Sequence, residues 1–338
     1  MNREDGPGAA GAAGDGTDPV ARRPRRAEPK AAVPAAGAEA GIGYGIDRRH
    51  RVALLAGLLP ALLLLVALTL APALYLFVIS LTPATPTNPA SLTDFSAPAQ
   101  NYVSALGDER FIESLWVQIK LSVSTVAVQT ALGLGVALLL NRGGRLVGAL
   151  RTIFLIPTVL PPIVAALIWK VLYTPDVSPL HRALASVGVP VASLITNPDT
   201  ALWAIAVADT WQWFPFTMLI ILAALQVVPR EPLEAATVDG ASPLQLFLYV
   251  VLPFIRPAIV IAALFRLIDS VKAFPLIYVL TSGGPGTATQ VTNYYAFTQA
   301  FNYAYWGYAS AISVMLTAAV FVLSALIGSR GARAAGHD

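Results

Sequence analysis

The sequence contains no cysteine and only three histidines among its 338 residues. The absence of cysteine excludes a disulfide framework, a thiolate nucleophile and a cysteine-ligated metal site. The histidines, His50, His181 and His337, lie far apart, which leaves little material for a histidine-rich metal site. Charge is scarce as well, because Asp, Glu, Lys and Arg make up 12% of the chain, about half the share that soluble domains carry.

Apolar residues are correspondingly abundant. They make up 56% of the chain, and the mean hydropathy is +0.66. The first apolar run, residues 52–80, is free of charge and exceeds the length of about 20 residues that crosses a bilayer. Its Ala71-Pro72-Ala73 matches a secretory cleavage pattern, but a leader of about fifty residues and the continuing run favour an uncleaved helix.

Further apolar runs follow the first and define a single membrane domain at residues 51–330. Backbone groups in lipid must be paired within the segment, so each run is predicted to be a helix, and internal prolines predict kinks or breaks. The fold class is therefore an all-α membrane protein with six transmembrane helices. The predicted spans are residues 52–80, 118–140, 152–173, 201–228, 256–280 and 307–328.

Both ends of the chain differ from this domain. Residues 1–50 are rich in Ala, Gly and Pro without hydrophobic periodicity, which predicts a disordered leader. The six spans place the leader, alternate loops and the tail on one side of the membrane, and these segments hold sixteen of the 22 Lys and Arg residues. The loops on the other side, at residues 81–113, 174–200 and 281–306, hold about four in or near them. This bias predicts a cytoplasmic leader and a cytoplasmic tail at residues 331–338.

The loop at residues 229–253 has the capping residues of two short helices. Pro232 suits the first helical position, where a missing N–H costs no bond. Glu234 then falls in the first turn, where the helix dipole favours a carboxylate. Gly240 suits the position after the helix that needs a left-handed backbone.

A second helix is predicted directly after Gly240. Ser242 is a good N-cap, Pro243 suits the first helical position, and Gln245 completes a capping box. Pro253 and Pro257 are predicted to mark the end of this helix and the start of the fifth span. Its apolar face is predicted to carry Leu244, Phe247, Leu248 and Val251.

Two interpretations of this loop remain open on physical grounds. Small residues, Ala235 and Ala236, on its first helix permit close approach by another protein, which would make the loop a docking site. The other interpretation is a well-capped connection between two spans.

The spacing of the loop resembles a known family. The loop resembles the EAA loop of the permease subunits of binding-protein-dependent ABC importers. The residues that match are Glu234-Ala235-Ala236, Gly240, Val250 and Leu252-Pro253, in this order and spacing. The family pattern prefers Ile where Val250 stands. Phrases typical of the carbohydrate branch, the maltose, trehalose and glycerol-phosphate type, occur at residues 236–241, 252–257, 280–286 and 307–311. The resemblance covers about residues 50–330.

The resemblance implies a type I ABC importer permease fold, with the loop as a cytoplasmic coupling helix and the chain as half of a translocation path. The implied partners are a second homologous permease subunit, two copies of a cytoplasmic ATPase, an external sugar-binding protein and the lipid bilayer, with no nucleic acid. No cofactor is expected on this chain, since ATP and Mg would be used by the ATPase and the sequence has no phosphate-loop motif. The implied ATPase-coupling residues are Glu234, Ala235, Ala236, Asp239, Gly240 and Pro253.

Polar and aromatic residues within the fourth span are candidates for the substrate path, because sugars are bound by hydrogen bonds and by aromatic rings. An acid inside a membrane is costly and suggests function, and Pro215 would free carbonyls as transporter sites require. The alternative is an interfacial position with an aromatic belt. Trp211 and Trp213 cannot point the same way on one helix. The candidates are Asp209, Trp211, Gln212, Trp213 and Phe216.

The fifth span and the outer segment after it supply the remaining candidates. Arg266 and Asp269 are three residues apart and can pair on one helix face, which favours a structural ion pair. Lys272 could reach a substrate or extend to the outer edge of the membrane. Tyr278 and Asn293 are candidates as well, with interfacial anchoring as the alternative for the outer segment.

Three functions are compatible with these features. The first is the permease subunit of an ATP-driven sugar importer. The second is an ion- or proton-coupled secondary carrier, for which Asp209 and Asp269 would have to form a relay. The third is a structural membrane subunit that transports nothing. Neither the sugar nor polyol carried, nor the resting conformation, follows from the sequence.

Overall fold

The computed structural model describes residues 48–142, 144–175, 177–188 and 193–335, so the predicted leader lies almost wholly outside the described residues. Within these ranges the regular elements are helices, and one isolated β-bridge joins Thr85 to Asn88. The α-helices are α1 (Arg48–Ser80), α2 (Gln100–Leu106), α3 (Glu109–Leu140), α4 (Arg145–Val159), α5 (Pro162–Tyr173), α6 (Pro179–Ser186), α7 (Pro198–Gln226), α8 (Arg230–Val238), α9 (Pro243–Gln245), α10 (Leu252–Ser270), α11 (Phe274–Leu280), α12 (Thr292–Phe297) and α13 (Trp306–Ala335). A 3-10 helix occupies Pro89–Thr93, and π-helical segments occupy Leu246–Val251 and Thr298–Asn302.

Contacts divide the chain at Pro60 into two units. Among the described residues, the first unit holds only the start of α1. The second unit, Ala61–Asp338, holds the remainder of α1 and all later helices.

Five of the described helical segments are long and apolar enough to cross a membrane. A sixth candidate is a helix pair, Leu146–Val159 with Pro162–Tyr173, which is bent by 97° at its break. The prediction of an all-helical membrane protein is confirmed, with five spans or, if the bent pair counts as one, six. The five single spans are Gly57–Ser80, Glu109–Leu140, Pro198–Gln226, Pro243–Ser270 and Trp306–Leu326.

The helices differ from the predicted spans most at the second, third and fifth spans, and the third begins at Arg145 of α4 instead of residue 152. Helix α3 begins at Glu109, earlier than the predicted start at residue 118. The fifth span begins earlier and ends earlier than the predicted range 256–280, because apolar helix continues from Pro243 to Ser270 and then breaks. Pro275 lies just beyond this break and cannot donate a helical hydrogen bond.

The bend between α4 and α5 is a proline break supported from α7. A proline disfavours helical backbone at the residue before it, and Leu160, which precedes Pro161 and Pro162, is extended, so α4 ends at Val159. The Gln212 side chain is fully buried and donates from Nε2 to the Leu160 carbonyl at 3.1 Å. In return, Thr158 Oγ1 donates to the Gln212 backbone carbonyl at 2.9 Å. These bonds satisfy polar groups that the bend would otherwise leave unpaired in an apolar surrounding.

Helices α3 and α7 form the closest helix pair of the bundle. At Gly133 of α3, an added Cβ would lie 2.9 Å from the Met218 backbone N and 3.0 Å from Thr217 Cβ. Only glycine permits so close a backbone approach, as small residues commonly do between membrane helices. The polar side chains described below lie along this same pair.

The segment that follows α1 contacts α2 and the start of α13. Asn101 Nδ2 donates to the carbonyls of Ser80 and Thr82 at 2.9 and 2.8 Å. The Gly307 N–H donates to the Ala84 carbonyl at 3.0 Å. An added Cβ at Gly307 would lie 2.0 Å from the Thr82 carbonyl oxygen, so this contact also requires glycine.

Candidate functional site

The loop at residues 229–253 folds as two short helices, as predicted, but the first begins earlier. Helix α8 starts at Arg230, so Pro232 is its third residue and not its first. The first N–H groups of a helix have no intrahelical acceptor, which is why a proline costs no bond there. The acid in the first turn is therefore Glu231, and the prediction that Glu234 occupies that turn was wrong.

The end of α8 is a Schellman motif, which confirms the predicted role of Gly240 in the turn. Gly240 has φ +80°, its N–H donates to the Thr237 carbonyl at 3.1 Å, and the Ala241 N–H donates to the Ala236 carbonyl at 3.0 Å. These two bonds satisfy carbonyls that the helix end leaves free. The left-handed backbone at Gly240 would strain any other residue.

The second helix begins with the predicted capping box. Ser242 Oγ accepts from the Gln245 N–H at 3.4 Å, and Gln245 Oε1 accepts from the Ser242 N–H at 2.8 Å. The prediction that Pro253 and Pro257 end this helix was wrong, because a π-helical segment at Leu246–Val251 leads directly into α10. The wider π turn precedes Pro253 and accommodates its missing N–H, as short π segments do in helices.

The surface of this loop is open and partly apolar. Glu234, Ala235, Asp239, Gly240 and Pro253 are exposed, and Ala236 is half-buried. Helices α8 and α9 and the π-helical segment contain no buried residue among those described. Large apolar side chains are exposed beside them, with exposed fractions of 87% for Val238, 77% for Tyr249 and 66% for Leu244.

A cluster of polar side chains, which we call the Arg266 cluster, lies inside the bundle. It consists of Arg266, Asp269, Asp209 and Gln129 and joins α3, α7 and α10. The predicted pair within α10 is present, with Arg266 Nη1 2.6 Å from Asp269 Oδ2. Arg266 is also paired with Asp209, whose Oδ2 lies 3.4 Å from Nη2.

Gln129 completes the cluster and was absent from the predicted residues. Its Oε1 accepts from Arg266 Nε at 2.8 Å, and its Nε2 donates to Asp209 Oδ2 at 2.8 Å. Gln129 is fully buried, and Asp209 and Arg266 are 3% and 1% exposed. Charged side chains that are this deeply buried are tolerated only when they are paired and hydrogen-bonded.

The cluster changes the interpretation of the fourth span. Asp209 was a candidate for the substrate path, yet its carboxylate is turned into the helix interface and held by Arg266 and Gln129. Trp213 stacks with the Arg266 guanidinium, which lies 4.7 Å from the ring centroid. Trp211 points elsewhere and packs edge-on against Trp169 of α5 at 5.8 Å, as the helical spacing requires.

One edge of the Arg266 cluster is open to the surroundings of the bundle. The Asp269 side chain is 37% exposed and lies between Arg266 and Lys272, with Oδ1 3.8 Å from Lys272 Nζ. The Lys272 side chain is 73% exposed. The cluster and its edge therefore balance in charge, because the cations Arg266 and Lys272 are matched by the acids Asp209 and Asp269.

Aromatic rings continue from this edge along α11 and α12. Phe274 stacks with Tyr278 at 5.5 Å and with Tyr294 at 5.8 Å between centroids. Phe297 packs edge-on against Phe274 at 5.0 Å. Tyr278, a predicted path residue, is the exposed member of this aromatic cluster, with an exposed fraction of 48%.

The remaining predicted path residues are held by other helices. Gln212 supports the bend between α4 and α5. Phe216 is half-buried and packs edge-on against Phe265 at 6.4 Å. Asn293 donates from Nδ2 to the Val271 carbonyl at 2.7 Å. Of the predicted path residues, the structure therefore brings Lys272, Tyr278 and Asn293 to one edge of the bundle.

A second polar contact ties α3 to the outer segment. Asp108 caps α3 and accepts hydrogen bonds from the phenol of Tyr295 and from that of Tyr308 at 2.6 Å. Burial alone would raise the pKa of Asp108, but the two phenols and the backbone N–H of Arg110 outweigh it and hold the pKa below its usual value. Burial, followed by the hydrogen bond to Asp108, raises the pKa of Tyr295.

Comparison with known proteins assigns the family of this bundle. Residues 129–330 match the family model described as the inner membrane component of binding-protein-dependent transport systems. The chain belongs to this family. The matched range includes α7, the loop at residues 229–253, α10 and the Arg266 cluster.

Similar proteins include permeases named for sugars. The chain is 38% identical over 216 residues to the trehalose/maltose transport system permease protein MalF of Thermococcus litoralis. This alignment covers 64% of this chain and 73% of the relative. It is 35% identical over 269 residues to the trehalose transport system permease protein SugA of Mycobacterium tuberculosis, covering 78% of this chain and 84% of the relative.

A solved structure shares the fold. A chain of the bacterial alginate ABC transporter, solved in complex with an alginate pentasaccharide-bound periplasmic protein, superposes with a TM-score of 0.73 at 20% identity. The match covers 85% of this chain and 96% of the other. The fold is that of a type I ABC importer permease.

The chain is therefore a membrane-spanning permease subunit of a binding-protein-dependent, ATP-driven importer and not an enzyme, since ATP is hydrolysed by a separate subunit. Among the described residues, no group of three or more His, Asp and Glu side chains could hold a metal ion.

Proposed function

We propose that this chain forms half of the translocation path of a sugar importer and couples it to a cytoplasmic ATPase through the loop at residues 229–253. The observation that carries this proposal is the coupling loop, a rigidly capped helix pair with no buried residue among those described. The Schellman motif and the capping box fix the shape of this exposed helix pair, which is what a docking element requires.

The surface of the loop suits a protein partner. Val238 of α8, which lies outside the candidate membrane spans, exposes a large apolar side chain, and exposed apolar surface is typical of interaction sites. Glu234 stands on the same loop as an exposed carboxylate that could bind an ATPase at a specific position. We propose that each of two ATPase copies receives one such loop, this one and its equivalent on a second permease subunit.

The proposed substrate is a neutral sugar. The named relatives are permeases for trehalose and maltose, and the exposed edge of this bundle presents Asp269, Lys272 and Tyr278 together. Carboxylate and ammonium groups can hydrogen-bond hydroxyls, and an aromatic face can pack on a sugar ring. Because the Arg266 cluster and Lys272 balance in charge, this edge carries no excess cation to attract an anionic substrate.

Transport in this account is mechanical. An external binding protein delivers the sugar, and closure of the ATPases moves the coupling loop and, through the continuous helix from Pro243 to Ser270, the Arg266 cluster. Both termini are placed in the cytoplasm, on the side of the coupling loop. ATP and Mg act on the ATPase subunits and not on this chain.

Co-purification tests the coupling. We expect tagged wild-type chain to retain an ATPase and a second permease, and Glu234→Lys or Gly240→Asp to lose the ATPase while still inserting in the membrane. Glu113→Lys is the control, because Glu113 is an exposed acid on α3, far along the chain from the coupling loop. Retention of the ATPase by both loop variants, or its loss in the control, would contradict the proposal.

A further inference from the structure

The break between α10 and α11 leaves a specific backbone carbonyl without its helical donor. In a continuous helix the Val271 carbonyl would accept from the N–H of residue 275. That residue is Pro275, which has no N–H. Lys272 and Ala273 tighten the chain by donating to Asp269 and Ser270 at 2.8 and 3.3 Å, but neither bond reaches the Val271 carbonyl.

Asn293 of α12 supplies the missing donor. Its Nδ2 lies 2.7 Å from the Val271 carbonyl oxygen, which is shorter than most amide hydrogen bonds. An unpaired carbonyl inside a membrane protein costs free energy, so this side chain takes the place of the backbone N–H that Pro275 removes.

Gln118 of α3 supports the same break from the opposite side. Its Nε2 donates to Ser122 Oγ at 3.0 Å and to the Ser270 carbonyl at 3.4 Å, and its side chain is buried. The carbonyls of two successive residues, Ser270 and Val271, thus each accept a side-chain amide. The break is a built feature, held from two helices.

What the break positions is the exposed edge of the Arg266 cluster. Asp269 lies immediately before it and Lys272 within it, while Phe274 begins α11 and stacks on Tyr294, the neighbour of Asn293. We propose that Asn293 is a positioning residue for transport: by replacing the donor that Pro275 lacks, it holds the α10–α11 break and so places Asp269, Lys272 and the aromatic cluster for the substrate. This role rests on the proposed function, whereas the hydrogen-bond substitution can be tested without transport.

The absence of cysteine makes a local probe available. Ser270→Cys is a near-isosteric change at a residue only 2% exposed, so its thiol in the assembled complex should react slowly with a water-soluble maleimide. Adding Asn293→Ala removes one hydrogen bond, and we expect the labelling rate to rise by about two- to tenfold because local opening becomes easier.

The decisive comparison changes Pro275. In a Pro275→Ala background the new N–H can serve the Val271 carbonyl, so Asn293→Ala should raise the labelling rate by less than half as much as it does beside Pro275. Asn293→Asp removes the donor and places a carboxylate oxygen against the Val271 carbonyl, so it should raise the labelling rate at least as much as Asn293→Ala does. Asn302→Ala, at an exposed asparagine of the same outer segment, should change nothing.

Two outcomes would overturn the proposal: no change in labelling with Asn293→Ala, or the same increase in both backgrounds. If Asn293→Ala prevents assembly, Pro275→Ala should restore it, and failure to do so would also overturn the proposal.

A transport assay separates positioning from structure alone. In chains that retain Ser270, Asn293→Ala should raise KM for sugar uptake at least about threefold, as loss of one hydrogen bond permits, and leave the maximal rate within about twofold. An unchanged KM would contradict the positioning role. If wild-type complex moves no sugar, the proposed function fails, and the labelling comparison still decides whether Asn293 replaces the Pro275 donor.

Discussion

Removal of Arg266 is the most informative single perturbation of the bundle. Arg266→Met keeps an unbranched apolar stem but removes the guanidinium group with its charge and its hydrogen bonds. The side chain of Asp209 is only 4% exposed. Among the described residues, it then keeps only the hydrogen bond from the Gln129 side chain. Asp269 is 37% exposed and keeps Lys272, so the loss falls mainly on Asp209.

The magnitude follows from that burial. Breaking a buried pair by removing one partner costs about 3–5 kcal/mol. Hydrogen bonds between membrane helices average only about 0.6 kcal/mol and reach about 1.7, because the unfolded state in the membrane also finds partners. We therefore expect a loss above about 1.7 kcal/mol, and up to about 5 kcal/mol.

Thermal denaturation of the assembled complex in nanodiscs measures this loss. With about 2 °C per kcal/mol, the lower end of the range for large domains, Arg266→Met should lower Tm by at least about 3 °C. Adding Asp209→Leu should recover at least half of the loss, because the unpaired acid is removed with its partner.

Arg110→Met provides the matched control. Arg110 also pairs with an acid three residues away, Glu113, but both side chains are more than half exposed, at 62% and 57%. Such a pair contributes about 0–1 kcal/mol. If Arg266→Met shifts Tm no more than Arg110→Met does, or if the Arg266→Met, Asp209→Leu double variant loses as much as the two single variants together, the buried pair does not contribute the stability expected here.

Two further predictions concern packing and pH. Gly133→Ala should destabilise the bundle by about 1–3 kcal/mol through overpacking against Met218, whereas Gly135→Ala, with nothing within 4 Å of the added Cβ, should be neutral or stabilising in the same melts. The lowered pKa of Asp108 contributes stability that is present above its usual pKa of 3.8 and is lost as the pH falls below that value through the lower pKa of the folded state. The Tm difference between wild type and Tyr295→Phe should thus be largest near pH 7 and shrink below about pH 4; a constant difference would show that the phenol does not act through this carboxylate.

Local features of the chain could be predicted from the sequence. The left-handed Gly240 and the capping box at Ser242 depend on residues within a few positions of each other, and so does the pairing of Arg266 with Asp269. The start of α8 was misplaced because proline is tolerated at any of the first helical positions, so Pro232 alone does not fix the first one.

Long-range features could not be predicted in the same way. The pairing of Arg266 with Asp209 and Gln129 spans separations of 57 and 137 residues, and periodicity does not say which helices meet. Prolines indicated breaks, but not that Gln212 and Asn293 would donate to the freed carbonyls. Asp209 consequently stood as a path candidate, although its partners hold it within the bundle.

ATP-dependent uptake by reconstituted proteoliposomes measures whether this chain works as half of an ATP-driven sugar importer. The complete complex, with binding protein, a neutral disaccharide and ATP on the side of the coupling loop, should accumulate sugar, and the Gly240→Asp complex should not. This chain alone, given a proton gradient and no ATP, should accumulate none. Uptake by the isolated chain driven by the gradient would contradict the account and support a secondary carrier.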